Sequence, residues 1–216
     1  MIGTNEEALG RFQLPPAPAG LRLAQDLVNT ALQARAGDPG SDHLADVAAA
    51  RTWLRRALAD WADATGSAVP EVELGEADLS GLREFREALR ERLRARAGNA
   101  GTSPTTGQDM GSDGAWGDLA ADVRLSIRLD GRVGYRPLGA GAGAVTALIA
   151  MESLLAQAAG TWDRLKTCAH PACGACFYDA SPNRSRNWHD TRTCGNINNL
   201  RASRARRRTG GGETAG

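Results

Sequence analysis

All four cysteines of the chain lie between Cys168 and Cys194, and two of its three histidines, His170 and His189, lie among them. Six side chains there can donate sulfur or nitrogen: Cys168, His170, Cys173, Cys176, His189 and Cys194. Such a density of soft donors points to a tetrahedral zinc site, which takes four Cys or His ligands. Two short chelating loops close such a site at little entropic cost. Cys168 and Cys173 form one pair with four residues between them, and His189 and Cys194 form another. Fifteen residues separate the pairs, enough for a hairpin or loop between two knuckles. Cys173-x-x-Cys176 is a rival first pair, and spacing alone slightly favours it. Read as a redox motif, that pair would need a surrounding βαβ pattern. None is present, and His189 and Cys194 would go unused. Phe177, Tyr178 and Trp188 suit the small apolar core beneath such a site. Metal then supplies much of the folding free energy of so small a module.

The charge pattern singles out the same end of the chain. Net charge is +1 over 216 residues. From Gly160 onward there are ten Lys/Arg against four Asp/Glu, whereas the first 159 residues carry an acidic excess. Such asymmetry suggests a polyanion-binding end. Arg201, Arg204 and Arg208 recur three and four apart, on one face of a helix. Lys166 is the only lysine, for which a coding bias is sufficient reason. No signal peptide is expected, because Glu6 and Glu7 stand where an apolar core would begin. No run approaches the ~20 apolar residues that span a bilayer. A cytoplasmic setting without membrane contact is the expectation. In such a reducing setting clustered cysteines more often bind metal than pair as disulfides.

The upstream elements read as mainly helical. Leu21, Leu23, Leu27, Val28 and Leu32 recur at helical spacing. A helix is expected over Leu44–Ala64, with Val47, Trp53, Leu54, Leu58 and Trp61 buried, and another over Glu76–Ala97 on a stripe of Leu79, Leu82, Phe85, Leu89 and Leu93. The Arg/Glu mixture of the latter reads as a solvated, ion-paired face. Val123, Leu125, Ile127 and Leu129 alternate with polar residues, Asp130-Gly131 follows, and Val133 and Tyr135 alternate again: a β-hairpin. Gly139, Gly141 and Gly143 read as a flexible connector, since they lack a phosphate-loop pattern. An apolar helix is expected over Val145–Ala159. His43 stands alone, and the body shows no legible catalytic set.

The segment Arg164-Leu165-Lys166-x-Cys168, Cys173-Gly174, Phe177-Tyr178-Asp179, Ser185-Arg186, Trp188 and Cys194-Gly195-Asn196 resembles the CGNR zinc fingers over about 45 residues. These fingers follow an ABATE domain in bacterial proteins described as stress-induced transcription regulators. Leu23-Ala24-Gln25-Asp26-Leu27-Val28-Asn29-Thr30 resembles the run near the start of ABATE domains. The resemblance implies Zn2+ on Cys168, Cys173, His189 and Cys194, with Cys176 as a packing residue. His189 stands where the family commonly has Cys, and imidazole is an acceptable replacement. Ile197 stands where the family has Arg, and Asn199 where a basic residue often follows.

The expected fold is α+β, mainly α with one β-hairpin. An irregular lead-in (1–19) precedes an ABATE-like helical domain (20–159) with a flexible loop at 98–117. A CGNR-type finger of treble-knuckle type with a basic C-terminal helix (160–209) and a disordered tail (210–216) follow. The resemblance implies a transcription regulator that binds double-stranded DNA through Arg186, Arg201, Arg204, Arg207 and Arg208. Arginine reaches both phosphates and guanine edges. A small-molecule or stress signal at the N-terminal domain, and homodimerisation, follow by analogy. The rival reading is a zinc-stabilised interaction module for an acidic partner. An enzyme is not expected, because four protein ligands leave zinc no open position.

Overall fold

The computed structural model describes residues 14–31, 42–98 and 121–196. The loop expected over 98–117, apart from Gly98 at the end of a helix, the tail expected over 210–216, and residues Ile197, Asn199, Arg201, Arg204, Arg207 and Arg208 lie outside them.

Among the described residues, four helices and one hairpin form the body. Helix α1 (Leu21–Val28) buries seven of its eight residues, including Gln25 and Asp26. Helix α2 (Val47–Thr65) starts at Asp46, whose carboxylate accepts the Ala49 N–H at 2.8 Å. Such a cap satisfies a donor that the first turn leaves without a partner. It ends at Gly66 in the left-handed conformation, φ 68°. Helix α3 (Asp78–Gly98) turns Leu79, Leu82, Phe85, Leu89 and Leu93 into the core as its spacing requires. Strands β1 (Val123–Ile127) and β2 (Val133–Pro137) pair antiparallel through the Asp130-Gly131 turn. Gly131 has φ 80° there.

Helix α4 (Gly141–Ala158) begins four residues before its expected start, so Gly141 and Gly143 belong to its first turn rather than to a connector. The cause is Asp78 at the start of α3. Its Oδ1 accepts the Ala142 N–H at 2.8 Å, a cap supplied from another helix. A Cβ on Gly141 would lie 2.1 Å from that oxygen, and φ is 56°, so only glycine fits. By length and composition α4 could cross a membrane. Here half of it is buried within the body, where Glu152 accepts the Trp61 indole N–H at 2.6 Å.

The charged face of α3 departs from the solvated reading. Arg86 and Arg90 are buried. Arg90 donates to the Val28 carbonyl at 2.6 Å and the Ala31 carbonyl at 3.1 Å. Arg86 reaches Thr30 Oγ1 and the Asp42 carboxylate, and Arg83 donates to the Leu44 and Ala45 carbonyls. Helix α1 is short, so its end leaves carbonyls to be satisfied, and a guanidinium carries five donors to do it.

A second antiparallel pair, β3 (Leu165–Thr167) and β4 (Cys176–Tyr178), joins the body to the C-terminal residues. Alternation divides its side chains between two cores. Leu165 and Cys176 lie in the body core, with Tyr178 packed against it. Phe177 lies in a second cluster with Leu14, Cys168, Cys173, Ala175 and Cys194, against which Trp188 packs. The lead-in takes part as well: Leu14 is in the small core and Ala17 in the large one.

Candidate metal centre

Cys168, Cys173, His189 and Cys194 are all buried, and their ligand atoms lie within 4.8 Å of one another. Zn–S bonds of about 2.3 Å in a tetrahedron place ligand atoms about 3.8 Å apart. The cluster therefore has the right dimension for a four-coordinate ion and the right donors for zinc. His189 Nδ1 lies 3.3 Å from Cys173 Sγ and 3.8 Å from Cys194 Sγ, so Nδ1 is the ring atom facing the ion position. The electrostatics agree. Hydrogen bonding from Cys168 and the neighbouring His189 hold the Cys173 thiol well below its usual value. The thiols of Cys168 and Cys194 are pushed up. Zinc takes cysteine as thiolate, and a divalent ion would offset the charge of three thiolates brought together here.

Each ligand has its own support. Cys168 follows β3 directly, and its N–H donates to the Ala175 carbonyl at 2.8 Å. Gly174, with φ 64°, turns the chain back toward β4. A five-residue turn over Thr191–Gly195 carries Cys194. Asp190 caps this turn, accepting from the Arg192 N–H at 2.8 Å and Thr193 Oγ1 at 2.9 Å. A Cβ on Gly195 would meet Thr191 at 3.1 Å and the Trp188 ring at 3.4 Å. That approach gives the glycine of Cys194-Gly195-Asn196 a packing reason.

The loop between β4 and His189 is organised by Asp179, which is fully buried. It accepts from Lys166 Nζ at 2.8 Å, Ser181 Oγ at 2.6 Å and the Arg186 N–H at 2.9 Å. Burial would raise its carboxyl, but these hydrogen bonds outweigh burial and hold it at about 2. Asp179 is thus a turn organiser, and none of these bonds goes to His189. Lys166 also donates to the carbonyls of Arg184 and Arg186. Arg164 donates to the carbonyls of Asp179 and Ser181 at 3.0 and 2.8 Å. The single lysine, read first as a compositional accident, is the loop's central donor.

Of the six candidate donors, His170 and Cys176 stand outside the cluster. His170 Nδ1 accepts the Ala172 N–H at 3.3 Å. Cys176 is completely buried on the body side of β4, and burial pushes its thiol up. Strand parity explains the register: Phe177 faces the small core, so Cys176 must face away from it. Arg186 is drawn into the finger itself. Its Nη2 donates to the His189 carbonyl at 2.6 Å, and its guanidinium stacks 5.6 Å from the Phe177 ring centroid.

One residue whose role spacing did not reveal is Asn29. Its Nδ2 donates to the Cys176 carbonyl at 2.9 Å and its Oδ1 accepts the Cys176 N–H at 2.8 Å. Gln25 adds a longer contact to the same carbonyl at 3.4 Å. A side-chain amide thus extends the β4 edge, as a third strand would, and ties the metal-binding segment to α1. Arg96 adds to the joint, donating to the Trp162 and Leu165 carbonyls.

A helical body carrying a buried Cys3His centre on a shared hairpin defines a zinc-finger protein with an integral N-terminal domain. Residues 164–207 match the CGNR zinc finger. Residues 21–171 match the family ABATE, described as "Putative stress-induced transcription regulator", and the chain belongs to that family. The two matches overlap over 164–171, which holds β3 and the first ligand, Cys168. No match is found among curated proteins.

Proposed function

We propose that this protein is a zinc-containing, DNA-binding transcription regulator that acts in the cytoplasm under stress. The observation that carries the reading is the buried Cys3His centre, held on a hairpin shared with a regulator-family body. In sequence the five arginines between Arg201 and Arg208 follow Cys194 closely. Zinc would fix where that basic segment leaves the finger. In this reading Cys168, Cys173, His189 and Cys194 hold the ion. The ion supplies folding free energy rather than catalysis, since four protein ligands leave no position for substrate. The arginines supply phosphate contacts, which position the protein, and base-edge contacts, which specify the site. The helical body receives the stress signal and mediates self-association. Asn29 offers a direct route between the two parts, because it bonds α1 to the strand that leads to the metal centre.

The test is capture of bound DNA from the native host, before and during stress, with wild type and Cys168→Ser. A defined set of promoter fragments that disappears with Cys168→Ser is expected. Capture of proteins with no enriched DNA would favour the interaction-module reading and overturn this one.

A further inference from the structure

The β1–β2 hairpin has two unlike faces. Leu125 opposes Tyr135, and Ile127 opposes Val133, on the apolar face, of which only Tyr135 packs against the body while Leu125, Ile127 and Val133 are exposed. That face is anchored at Tyr135, whose hydroxyl donates to Glu152 and whose ring meets Trp61 edge-on at 6.5 Å. The other face carries arginines. Arg124 stands directly opposite Arg136, and Ser126 opposite Gly134. Beyond them the Arg128 N–H donates to the Arg132 carbonyl at 2.8 Å, so these two also face each other. All four arginines are exposed, and no salt bridge engages them among the described residues. Two described carboxylates flank these arginines in sequence, Asp122 and Asp130. Asp130 Oδ1 accepts the Arg132 backbone N–H at 3.0 Å within the turn. Asp122 precedes β1, where its carbonyl accepts the Leu138 N–H.

Like charges placed directly across a sheet destabilise it. Two such pairs on one short ribbon, with no salt bridge to them among the described residues, suit a surface that meets its counter-charge in a partner. Spacing identifies that partner. The two pairs are four residues apart along the strand, about 13 Å at the usual rise. The major groove of B-form DNA is about 12 Å wide and admits a two-stranded ribbon. Between the pairs Ser126 and Gly134 are small, so the ribbon's middle can approach closely. A Cβ on Gly134 would have its nearest neighbour at 3.8 Å, so no packing demands glycine there. The deep, narrow major groove of RNA would not admit such a ribbon.

We infer that the face bearing Arg124, Arg128, Arg132 and Arg136 is a second duplex-DNA contact, with an arginine pair on the phosphates of each groove wall. The surface belongs to the regulator-family body, and its arginines are distinct in sequence from those between Arg201 and Arg208. It deepens the proposed function and rests on duplex DNA being the partner.

The test is a titration of labelled duplex with the full-length, zinc-loaded protein from 50 to 200 mM salt. Wild type is compared with Arg124→Gln/Arg136→Gln and Arg128→Gln/Arg132→Gln. Each phosphate contact contributes about −0.9 to the slope of log affinity against log salt. Each double variant should flatten the slope by about 1.8, so its affinity deficit should shrink about 12-fold across this fourfold salt range. Arg136→Glu supplies a fold control. It creates an opposite-charge pair with Arg124, so it should melt no lower than wild type yet bind DNA more weakly. Wild-type binding with unchanged slopes in both double variants would overturn this surface and leave the proposed function standing. Absence of duplex binding by wild type would overturn the proposed function itself. Equal loss of heparin and duplex binding, with no preference for duplex, would overturn the groove assignment.

Discussion

Replacing Asn29 by Ala removes the amide that bridges the body to β4. Both of its hydrogen bonds are short, at 2.9 and 2.8 Å, and both end on the backbone of a completely buried residue. Truncation leaves the Cys176 N–H and carbonyl without that partner, and only the longer Gln25 contact remains near the carbonyl. A buried polar group deprived of its partner costs about 1–3 kcal/mol. Two such groups set the expected loss at about 2–6 kcal/mol, a large share of a typical folding free energy of about 5–15 kcal/mol. The corresponding fall in melting temperature is on the order of 10 °C for a protein of this size. Asn29→Asp retains the acceptor but sets a buried carboxylate oxygen against the Cys176 carbonyl, so above pH 7 it should lose at least as much as Asn29→Ala. Urea denaturation of the zinc-loaded protein, followed by tryptophan fluorescence, measures the difference. A loss below about 0.5 kcal/mol for Asn29→Ala would mean that apolar packing alone joins the two cores, and the bridging role would be wrong.

Further outcomes follow from the same geometry. Elemental analysis should find about one zinc per chain in wild type and in Cys176→Ser, and none in Cys168→Ser; metal lost from Cys176→Ser instead would move the register to Cys173/Cys176. After chelation, hydrogen exchange should accelerate over residues 179–195 but stay slow at Leu165 and Cys176, which the body core holds; uniform acceleration of the whole chain would show that the body cannot fold without metal. Burial raises the Asp26 carboxyl to about 7, against the pull of Arg22. The native state therefore binds a proton that the unfolded chain releases, and stability should fall by about 1.4 kcal/mol per pH unit as pH rises from 5.5 toward 7, then level off. Asp26→Asn should remove that slope, and an unchanged slope would assign it to another group.

The helices and both ends of the zinc site were legible because their signals are local. The Leu79–Leu93 stripe, the Asp130-Gly131 turn and the two chelating pairs each occupy a short window of sequence. What stayed hidden depends on partners distant along the chain. Arg86 and Arg90 alternate with glutamates as a solvated helix face would, and only the end of α1 explains why they turn inward. The start of α4 is set by Asp78, more than sixty residues earlier. Asn29 lies 147 positions from the residue it holds. Cys176 was ambiguous by spacing, yet strand parity within Cys176-Phe177-Tyr178 would have turned it away from Phe177 and so from the metal. The arginine face of the β1–β2 hairpin was written in the alternation as well, on the positions read only as polar.

The proposed regulator role turns on whether zinc-loaded protein holds duplex DNA and metal-free protein does not. Fluorescence anisotropy with a labelled promoter duplex from the native host, at fixed salt, measures both states of one preparation before and after chelation and again after zinc is restored. Binding that is lost with the metal and recovered with it is the predicted result. Equal affinity in both states, or none in either, would contradict it.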